Sequence, residues 1–338
     1  MTSNDSHVVL TGIKPSGTPH LGNYVGAIAP ALQLLAEGKA DSDFFYFVAD
    51  YHAVTTIQDG DRLRHLSREV AATWLALGLD PKAARIYRQS DVPEVFELAW
   101  ILSCVCPKGL MNRAHAYKAS VQANEAEGRD ADANVNMGLF GYPILMAADI
   151  LIMRSTHVPV GEDQRQHVEI ARDLATHVET AFGGGGLVPP EALISRDQAS
   201  IPGTDGRKMS KSYGNTIPIF AAGDELRSAV FGIKTDSRPL GEPADPDETL
   251  LYQIFEGVGA PDDVAELASG LRDGFGWKDA KVLVHEGLER RFAEPRARYD
   301  ELMADTGELD RILAAGAEAA REVGAGVVAD LRKVVGTG

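Results

Sequence analysis

The stretch that decides the fold is GIKPSGTPHLGN, residues 12–23, which follows the short apolar run Val8-Val9-Leu10. Apolar residues then recur at spacings of three and four from Leu21 to Leu35, which predicts a helix that Pro30 should bend. A strand, a glycine-rich turn and a helix in this order are typical of the first unit of a doubly wound sheet. Such a turn lies at the carboxyl end of its strand, where glycines let a ligand approach the backbone and a helix N-terminus attracts phosphate.

The remainder of the first half repeats this alternation. Further strands are predicted at residues 44–49, 85–87 and 158–160, and helices at residues 63–77, from Pro93 onward and at residues 143–153. From about Leu250 the pattern contains helices only, the last beginning near Leu309. We therefore predict an α/β fold, with a Rossmann-like doubly wound parallel sheet in residues 1–220 and an α-helical domain in residues 221–338. The boundary is expected within residues 216–245, and the last helix is free to pack back on the first domain.

Composition limits the function classes. The chain has 338 residues, of which 44% are hydrophobic, and no apolar run reaches the roughly 18–20 residues of a membrane span. The polar N-terminus lacks the apolar segment of a secretory signal. Cys104 and Cys106 are too few for a cysteine metal site, and we predict that both are packing residues in a reducing cytoplasm. The net charge of −16, taken alone, argues against a nucleic-acid partner, so any RNA contact would depend on a local basic surface.

A second chemical motif is Lys208-Met209-Ser210-Lys211-Ser212, flanked by glycines that would allow a loop to move. Two mobile ammonium groups can follow negative charge as it develops on a phosphate, which stabilises a transition state. The alternative is an ordinary solvated basic loop on an acidic protein.

Three further segments place polar groups where the sequence is otherwise apolar. Asp149 is alone in an apolar helix, where a carboxylate needs a partner, and the structural alternative is an ion pair with Arg154 or Arg172. Asp163 lies at a strand-to-helix junction, where the structural alternative to ligand binding is capping of the helix. The two roles do not exclude each other. His52 follows the second strand, and the alternative to a ligand-binding role is that of a structural histidine held by hydrogen bonds.

Together these motifs resemble the class I aminoacyl-tRNA synthetases. His20-Leu21-Gly22-Asn23 is similar to that family's His-Ile-Gly-His signature, in the variant of its tryptophan and tyrosine branch, and residues 208–212 match its lysine loop. The segments around Asp149 and Asp163 resemble those of the tryptophan-specific members. The resemblance implies catalytic roles for His20, Asn23, Lys208 and Lys211. It implies ATP binding by Lys14, Ser16, Gly17, His20, Gly22, Asn23, Gly161, Asp163, Lys208, Met209, Ser210 and Lys211, and tryptophan binding by Gly12, His52, Tyr142, Met146, Asp149 and Gln164.

The same resemblance implies the reaction and its partners. Activation of L-tryptophan by ATP with Mg²⁺, held mainly by the phosphates, would be followed by transfer to the 3′ end of tRNA(Trp). No metal site formed by protein side chains is expected. A homodimer in the cytoplasm is expected, with no membrane or DNA partner, residues 111–118 at the tRNA acceptor end and the helical domain at the anticodon. Lys14 departs from the family pattern, since many members carry a glutamine at this position.

Three alternatives stay open at this point. Tyrosine activation on the same fold is the nearest, and Asp149 argues against it. A nucleotidyltransferase that makes a dinucleotide cofactor fits the lysine loop and helical tail poorly. A non-catalytic paralogue with a regulatory role is disfavoured because both signature loops are intact.

Overall fold

The computed structural model describes residues 7–38, 42–194 and 201–338. Its centre is a five-stranded parallel sheet in the order β3-β2-β1-β4-β5. The strand order reverses direction between β1 and β4, so the crevice beyond their carboxyl ends is the topological switch point where such folds bind ligands. The strands are β1 Val8–Ile13, β2 Asp43–Val48, β3 Arg85–Arg88, β4 His157–Val160 and β5 Glu191–Ile194.

Successive residues of the central strands point into two separate cores, because side chains alternate across a strand. In β2, Phe44 and Tyr46 join the core on one face, whereas Phe45 and Phe47 join the core on the other. Burial on both faces explains why β2 is continuously apolar in sequence. The predicted α/β fold is confirmed.

Helices cover both faces of the sheet, and all regular elements after residue 222 are helical. Helix α13 packs on α4, and α14 packs along β3. The helices are α1 Leu21–Asn23, α2 Ala29–Glu37, α3 Asp50–Val54, α4 Gly60–Ala76, α5 Glu94–Val105, α6 Lys108–Met111, α7 His115–Ala126, α8 Met137–Ile152, α9 Arg165–Phe182, α10 Gly223–Phe231, α11 Leu250–Glu256, α12 Pro261–Arg272, α13 Trp277–Ala304 and α14 Thr306–Val335. Within the described ranges, no helix is both long and apolar enough to cross a bilayer.

Several local predictions differ from the structure. A π-helical turn, Tyr24–Ile28, separates α1 from α2, so the regular hydrogen-bond ladder is interrupted just before Pro30. Helix α8 begins at Met137, six residues earlier than predicted, because the Asn136 side chain caps it through the Leu139 N–H. Strand β5 was not predicted, and α10 lies inside the predicted boundary region. Cys104 is exposed, so its assignment as a packing residue is wrong.

Helix α14 packs very closely against the edge strand β3. A Cβ atom at Gly316 would lie 2.0 Å from the carbonyl oxygen of Ile86, which cannot move without disturbing the sheet. Glycine is therefore required at this crossing. By contrast, a Cβ atom at Gly326, on the same helix, would have no neighbour within 4 Å.

We expect Gly316→Ala to lower the free energy of unfolding by about 1–3 kcal/mol, the usual cost of overpacking. Urea denaturation measures this change directly. The matched control Gly326→Ala should be neutral or stabilising by up to ~1 kcal/mol, because alanine is the better helix former. Equal stability of the two variants would contradict the close packing of α14 on β3.

Candidate active site

A cavity of about 640 Å³ opens beyond the carboxyl ends of β1, β2 and β4. Its walls are mainly apolar, with a small set of polar groups, which suits a flat apolar ligand oriented by a few hydrogen bonds. All six residues predicted to bind tryptophan line it, namely Gly12, His52, Tyr142, Met146, Asp149 and Gln164. Residues separated by up to 152 positions in sequence are thus brought to one cavity.

Asp149 is the buried charge of this cavity, with 2% of its surface exposed. Its Oδ2 lies 2.9 Å from His52 Nε2, and the Gln89 amide donates to Oδ1 at 2.8 Å and to Oδ2 at 2.9 Å. Burial raises the pKa of the Asp149 carboxyl, and the hydrogen bonds from His52 and Gln89 oppose that shift. The carboxylate is therefore held by hydrogen bonds that leave it able to accept one more donor.

The structural alternative for Asp149, an ion pair with Arg154 or Arg172, is wrong. Arg154 instead pairs with Asp330 at 3.3 Å, and Arg172 donates to the Pro190 carbonyl at 2.7 Å. No described lysine or arginine is paired with Asp149. A buried carboxylate that is held by an amide and an imidazole rather than by a lysine or arginine, at the wall of an apolar cavity, is typical of a ligand-recognition group.

Tyr142 and His167 form the polar side of the same cavity. The Tyr142 hydroxyl lies 2.6 Å from His167 Nε2, and His167 Nδ1 has no partner among the described atoms. Burial lowers the pKa of the His167 imidazole and raises the pKa of the Tyr142 hydroxyl, so both groups are neutral near pH 7. This pair fixes the direction of the Tyr142 hydroxyl beside Gln164.

A second cavity, of about 690 Å³, adjoins the first and shares Asp163 and Gln164 with it. Of the residues predicted to bind ATP, it is lined by Ser16, His20, Gly22, Asn23, Gly161, Asp163, Lys208, Met209, Ser210 and Lys211. The other two, Lys14 and Gly17, line a small space beside Lys211, and Lys14 also lines the first cavity. The structural alternative for Asp163 is not realised, because α9 receives no side-chain capping bond.

The two signature loops are in direct contact. Lys211 Nζ donates to the Gly17 carbonyl at 2.6 Å, and the Gly22 N–H lies 3.2 Å from the sulfur of Met209. Burial and the charge of Lys211 lower the pKa of His20 to about 4, so its imidazole is neutral at pH 7. His20 therefore acts as a neutral hydrogen-bonding group beside a cation.

Asn23 combines a structural contact with its predicted place at the ATP site. Its Oδ1 accepts the His20 backbone N–H at 3.1 Å, closing the first helical turn, although the residue still lines the second cavity. Asparagine at this position therefore supports the turn as well as facing the cavity.

Asn215, which lies just after the lysine loop, holds that loop in place through its side-chain amide. It is buried, its Oδ1 accepts the Ser210 N–H at 2.8 Å, and its Nδ2 donates to Asp205 Oδ1 at 2.7 Å and to the Lys208 carbonyl at 3.2 Å. A Cβ atom at Gly203 would lie 2.2 Å from the same amide. The glycine thus makes room for the asparagine that supports the loop.

Comparison with known proteins decides the family. The family model for class I tRNA synthetases of tryptophan and tyrosine matches residues 2–293. The chain belongs to this family. The tryptophan–tRNA ligase of Xanthomonas axonopodis pv. citri is 50% identical over 337 residues, 99% of this chain and 77% of the relative. That of Pseudomonas aeruginosa is 49% identical over 330 residues, 97% of this chain and 73% of the relative.

Among solved structures, the tryptophanyl-tRNA synthetase of Campylobacter jejuni, complexed with ADP and tryptophan, is similar throughout this synthetase. Its TM-score is 0.87 at 41% sequence identity, and the match covers 97% of this chain and 99% of that one. The predicted class I synthetase family and enzyme class are confirmed.

Three residues of this synthetase's site, Gln89, His167 and Asn215, were missed as functional positions. Gln89 bonds to Asp149 and His167 lies within hydrogen-bond distance of Tyr142, but neither residue was predicted to belong to the site. Asn215 follows Gly214, which has a φ of +63° just after the lysine loop, and this Gly-Asn pair was the only local signal. Lys14, the departure from the family pattern, donates to Thr55 Oγ1 at 3.1 Å.

Proposed function

We propose that this protein activates L-tryptophan with ATP and transfers it to tRNA(Trp). The single observation that carries the proposal is the buried carboxylate of Asp149, held by Gln89 and His52 at the wall of an apolar cavity. Such a carboxylate can accept the N–H of an indole ring. A side chain that lacks this donor would leave the carboxylate's remaining acceptor position unsatisfied, which is the basis of strong discrimination.

The two adjoining cavities suggest how the reactants meet. An oxygen of the tryptophan carboxylate forms a bond to the α-phosphorus of ATP, the bond from that phosphorus to the bridging oxygen breaks, and pyrophosphate leaves. A hydroxyl of the terminal tRNA ribose then attacks the carbonyl carbon, and AMP leaves. The protein's main contribution is alignment and charge stabilisation rather than a covalent nucleophile.

Each site residue receives a proposed role. Asp149 accepts the indole N–H, while His52 and Met146 line the ring pocket with Gly12, and Tyr142 and Gln164 hold the ammonium group. Gly161 and Asp163 approach the ATP ribose. His20, Asn23, Lys208 and Lys211 stabilise the phosphates, with Lys14, Ser16, Gly17, Gly22, Met209 and Ser210 completing the nucleotide site.

Magnesium is proposed to enter with ATP. In the described part of the chain, no group of three or more His, Cys, Asp or Glu side chains is arranged to hold a metal ion. The phosphates would therefore supply most of its ligands, as is usual for magnesium bound with a nucleotide. The ion would neutralise phosphate charge alongside the lysine side chains.

A basic surface beside the cavity fits the acceptor end of tRNA. Arg113 and Lys118 are exposed on the segment around the start of α7, and His115 of the same segment lines the first cavity. These exposed cations support the proposal despite the net charge of −16, because phosphate contacts depend on local rather than total charge. We propose that the acceptor end enters here, that the C-terminal helices of residues 221–338 hold the anticodon, and that the enzyme works in the cytoplasm.

The proposed function is tested by charging purified tRNA with each amino acid in the presence of Mg-ATP. Only tryptophan, and only tRNA(Trp), should give an acid-stable aminoacyl product. Charging of tRNA(Tyr) with tyrosine would instead support the nearest alternative.

The proposed homodimer is supported by an exposed apolar face on α3 and α5. Trp100 is 72% exposed, and Phe96 lies one turn before it with its ring centroid 4.3 Å from that of Tyr51, which is itself 48% exposed. Large aromatic side chains of this kind are enriched in protein interfaces. We propose that a second copy of the chain covers this face.

We expect Trp100→Glu to convert the dimer to a monomer in sedimentation velocity at micromolar concentration. Each dimer would bury two introduced carboxylates, and at about 2 kcal/mol each the dissociation constant should rise roughly 10³-fold. Leu240→Glu is the matched control, because Leu240 is 81% exposed on the loop between α10 and α11, and this variant should stay dimeric. An unchanged Trp100→Glu dimer would place the interface elsewhere.

A further inference from the structure

Gln89 belongs to none of the sequence motifs, yet it contacts the Asp149 carboxylate that is proposed to select the substrate. It lies directly after β3, in the 3-10 turn Gln89–Asp91, and is completely buried. Its Nε2 donates to both oxygens of Asp149, at 2.8 and 2.9 Å, and its Oε1 accepts the Tyr51 N–H at 3.1 Å. Both ends of the amide are therefore used, which fixes its orientation.

The residues on either side of Gln89 are themselves held by hydrogen bonds. Arg88 donates to Asp91 at 2.8 Å and to Asp310 of α14 at 3.1 Å. The Ser90 N–H and hydroxyl both donate to Asp50. A side chain carried by so constrained a turn loses little conformational entropy when it forms its own hydrogen bonds.

The bonds to Asp149 are unevenly distributed between its two oxygens. Oδ2 accepts from both Gln89 and His52, whereas Oδ1 accepts from Gln89 alone. Each carboxylate oxygen has about two acceptor positions. One position on Oδ1 thus stays open while the plane of the carboxylate is fixed.

We propose that Gln89 is a positioning residue for substrate selection, whose amide turns Asp149 so that Oδ1 accepts the indole N–H of tryptophan. This inference rests on the proposed function, and specifically on the role of Asp149. Without the amide, the carboxylate would keep only the bond to His52 and would rotate about its side-chain bonds. The acceptor would still be present but would no longer be oriented.

The test compares tryptophan with an analogue in which sulfur replaces the indole N–H, 3-(benzothiophen-3-yl)alanine. In Gln89→Met, which keeps the volume and removes both polar ends, we expect the KM for tryptophan in ATP–pyrophosphate exchange to rise about tenfold, the usual effect of one hydrogen bond. The KM for the analogue and for ATP should change less than twofold. Gln33→Met, at an exposed position on α2, is the matched control and should leave all three values unchanged.

Equal changes in the KM for tryptophan and in the KM for its analogue would overturn the proposal, because a merely structural role of Gln89 would affect both KM values alike. If Gln89→Met does not fold, Gln89→Asn, whose amide is withdrawn by one methylene, should show the same selective rise. Absence of tryptophan-dependent exchange in the unaltered enzyme would instead contradict the proposed function itself. The two failures are therefore distinguishable.

Discussion

Replacing Asp149 with alanine is expected to lower kcat/KM for tryptophan activation by about 10²–10⁴-fold while the fold is kept. The loss of a hydrogen bond to a charged group removes about 1.5–3 kcal/mol, and leaving buried donors unpaired costs about 1–3 kcal/mol more. Those donors are His52 and Gln89, which point at Asp149 from within 3 Å. Measured exchange rates with tryptophan, tyrosine and phenylalanine should converge, since the pocket would retain only its shape.

Two variants control this experiment. Asp149→Asn keeps the shape, but its amide hydrogens face existing donors, so we expect an intermediate loss. Asp330→Ala removes an exposed carboxylate that pairs with Arg154 and should change kcat/KM less than twofold. If Asp149→Ala discriminates among the three amino acids as well as the unaltered enzyme does, the role assigned to Asp149 is wrong.

Replacing Lys211 with alanine is expected to slow adenylate formation by about 10²–10³-fold, the range measured when one electrostatic group is removed from a transition state. The Lys211 ammonium group donates to the Gly17 carbonyl, lies beside His20 and lines the second cavity, where we propose that the ATP phosphates bind. The affinity for tryptophan, measured by calorimetry, should change less than twofold, because Lys211 does not line the first cavity.

Single-turnover kinetics with saturating substrates separates the chemical step from binding in this variant. The control is Lys333→Ala, which removes an exposed lysine near the C-terminus and should have no effect on the rate. A large loss of tryptophan affinity with a normal rate of adenylate formation would contradict the role assigned to Lys211.

Sequence periodicity predicted most of the scaffold because it reports local burial. The continuous apolar run of β2 and the spacing of residues 63–77 each describe a single element and its neighbours in the core. Strand β5 escaped prediction because Glu191–Ile194 directly follows Pro189-Pro190, begins with an exposed glutamate and has no fully buried residue, so it lacks the apolar run that marked the other strands. The division into domains at residues 220 and 221 stays a prediction.

The contacts that orient the site could not be predicted from sequence, because they join residues far apart in the chain. Asp149 bonds to His52 and Gln89, which lie 97 and 60 positions away, rather than to the nearby arginines. Motifs identified the groups that would touch the substrates, whereas the residues that hold those groups carry no motif. Which residues hold those groups depends on how the turn after β3 packs against α8, and sequence patterns do not report that packing.

The central claim is most directly tested by ATP–pyrophosphate exchange with each of the twenty amino acids. Exchange with tryptophan alone is the predicted result, and it would establish both activation and specificity. Exchange with tyrosine instead of tryptophan would preserve the fold and the mechanism but contradict the role of Asp149. Exchange with no amino acid would contradict the account of the two adjoining cavities as an amino-acid-activating site.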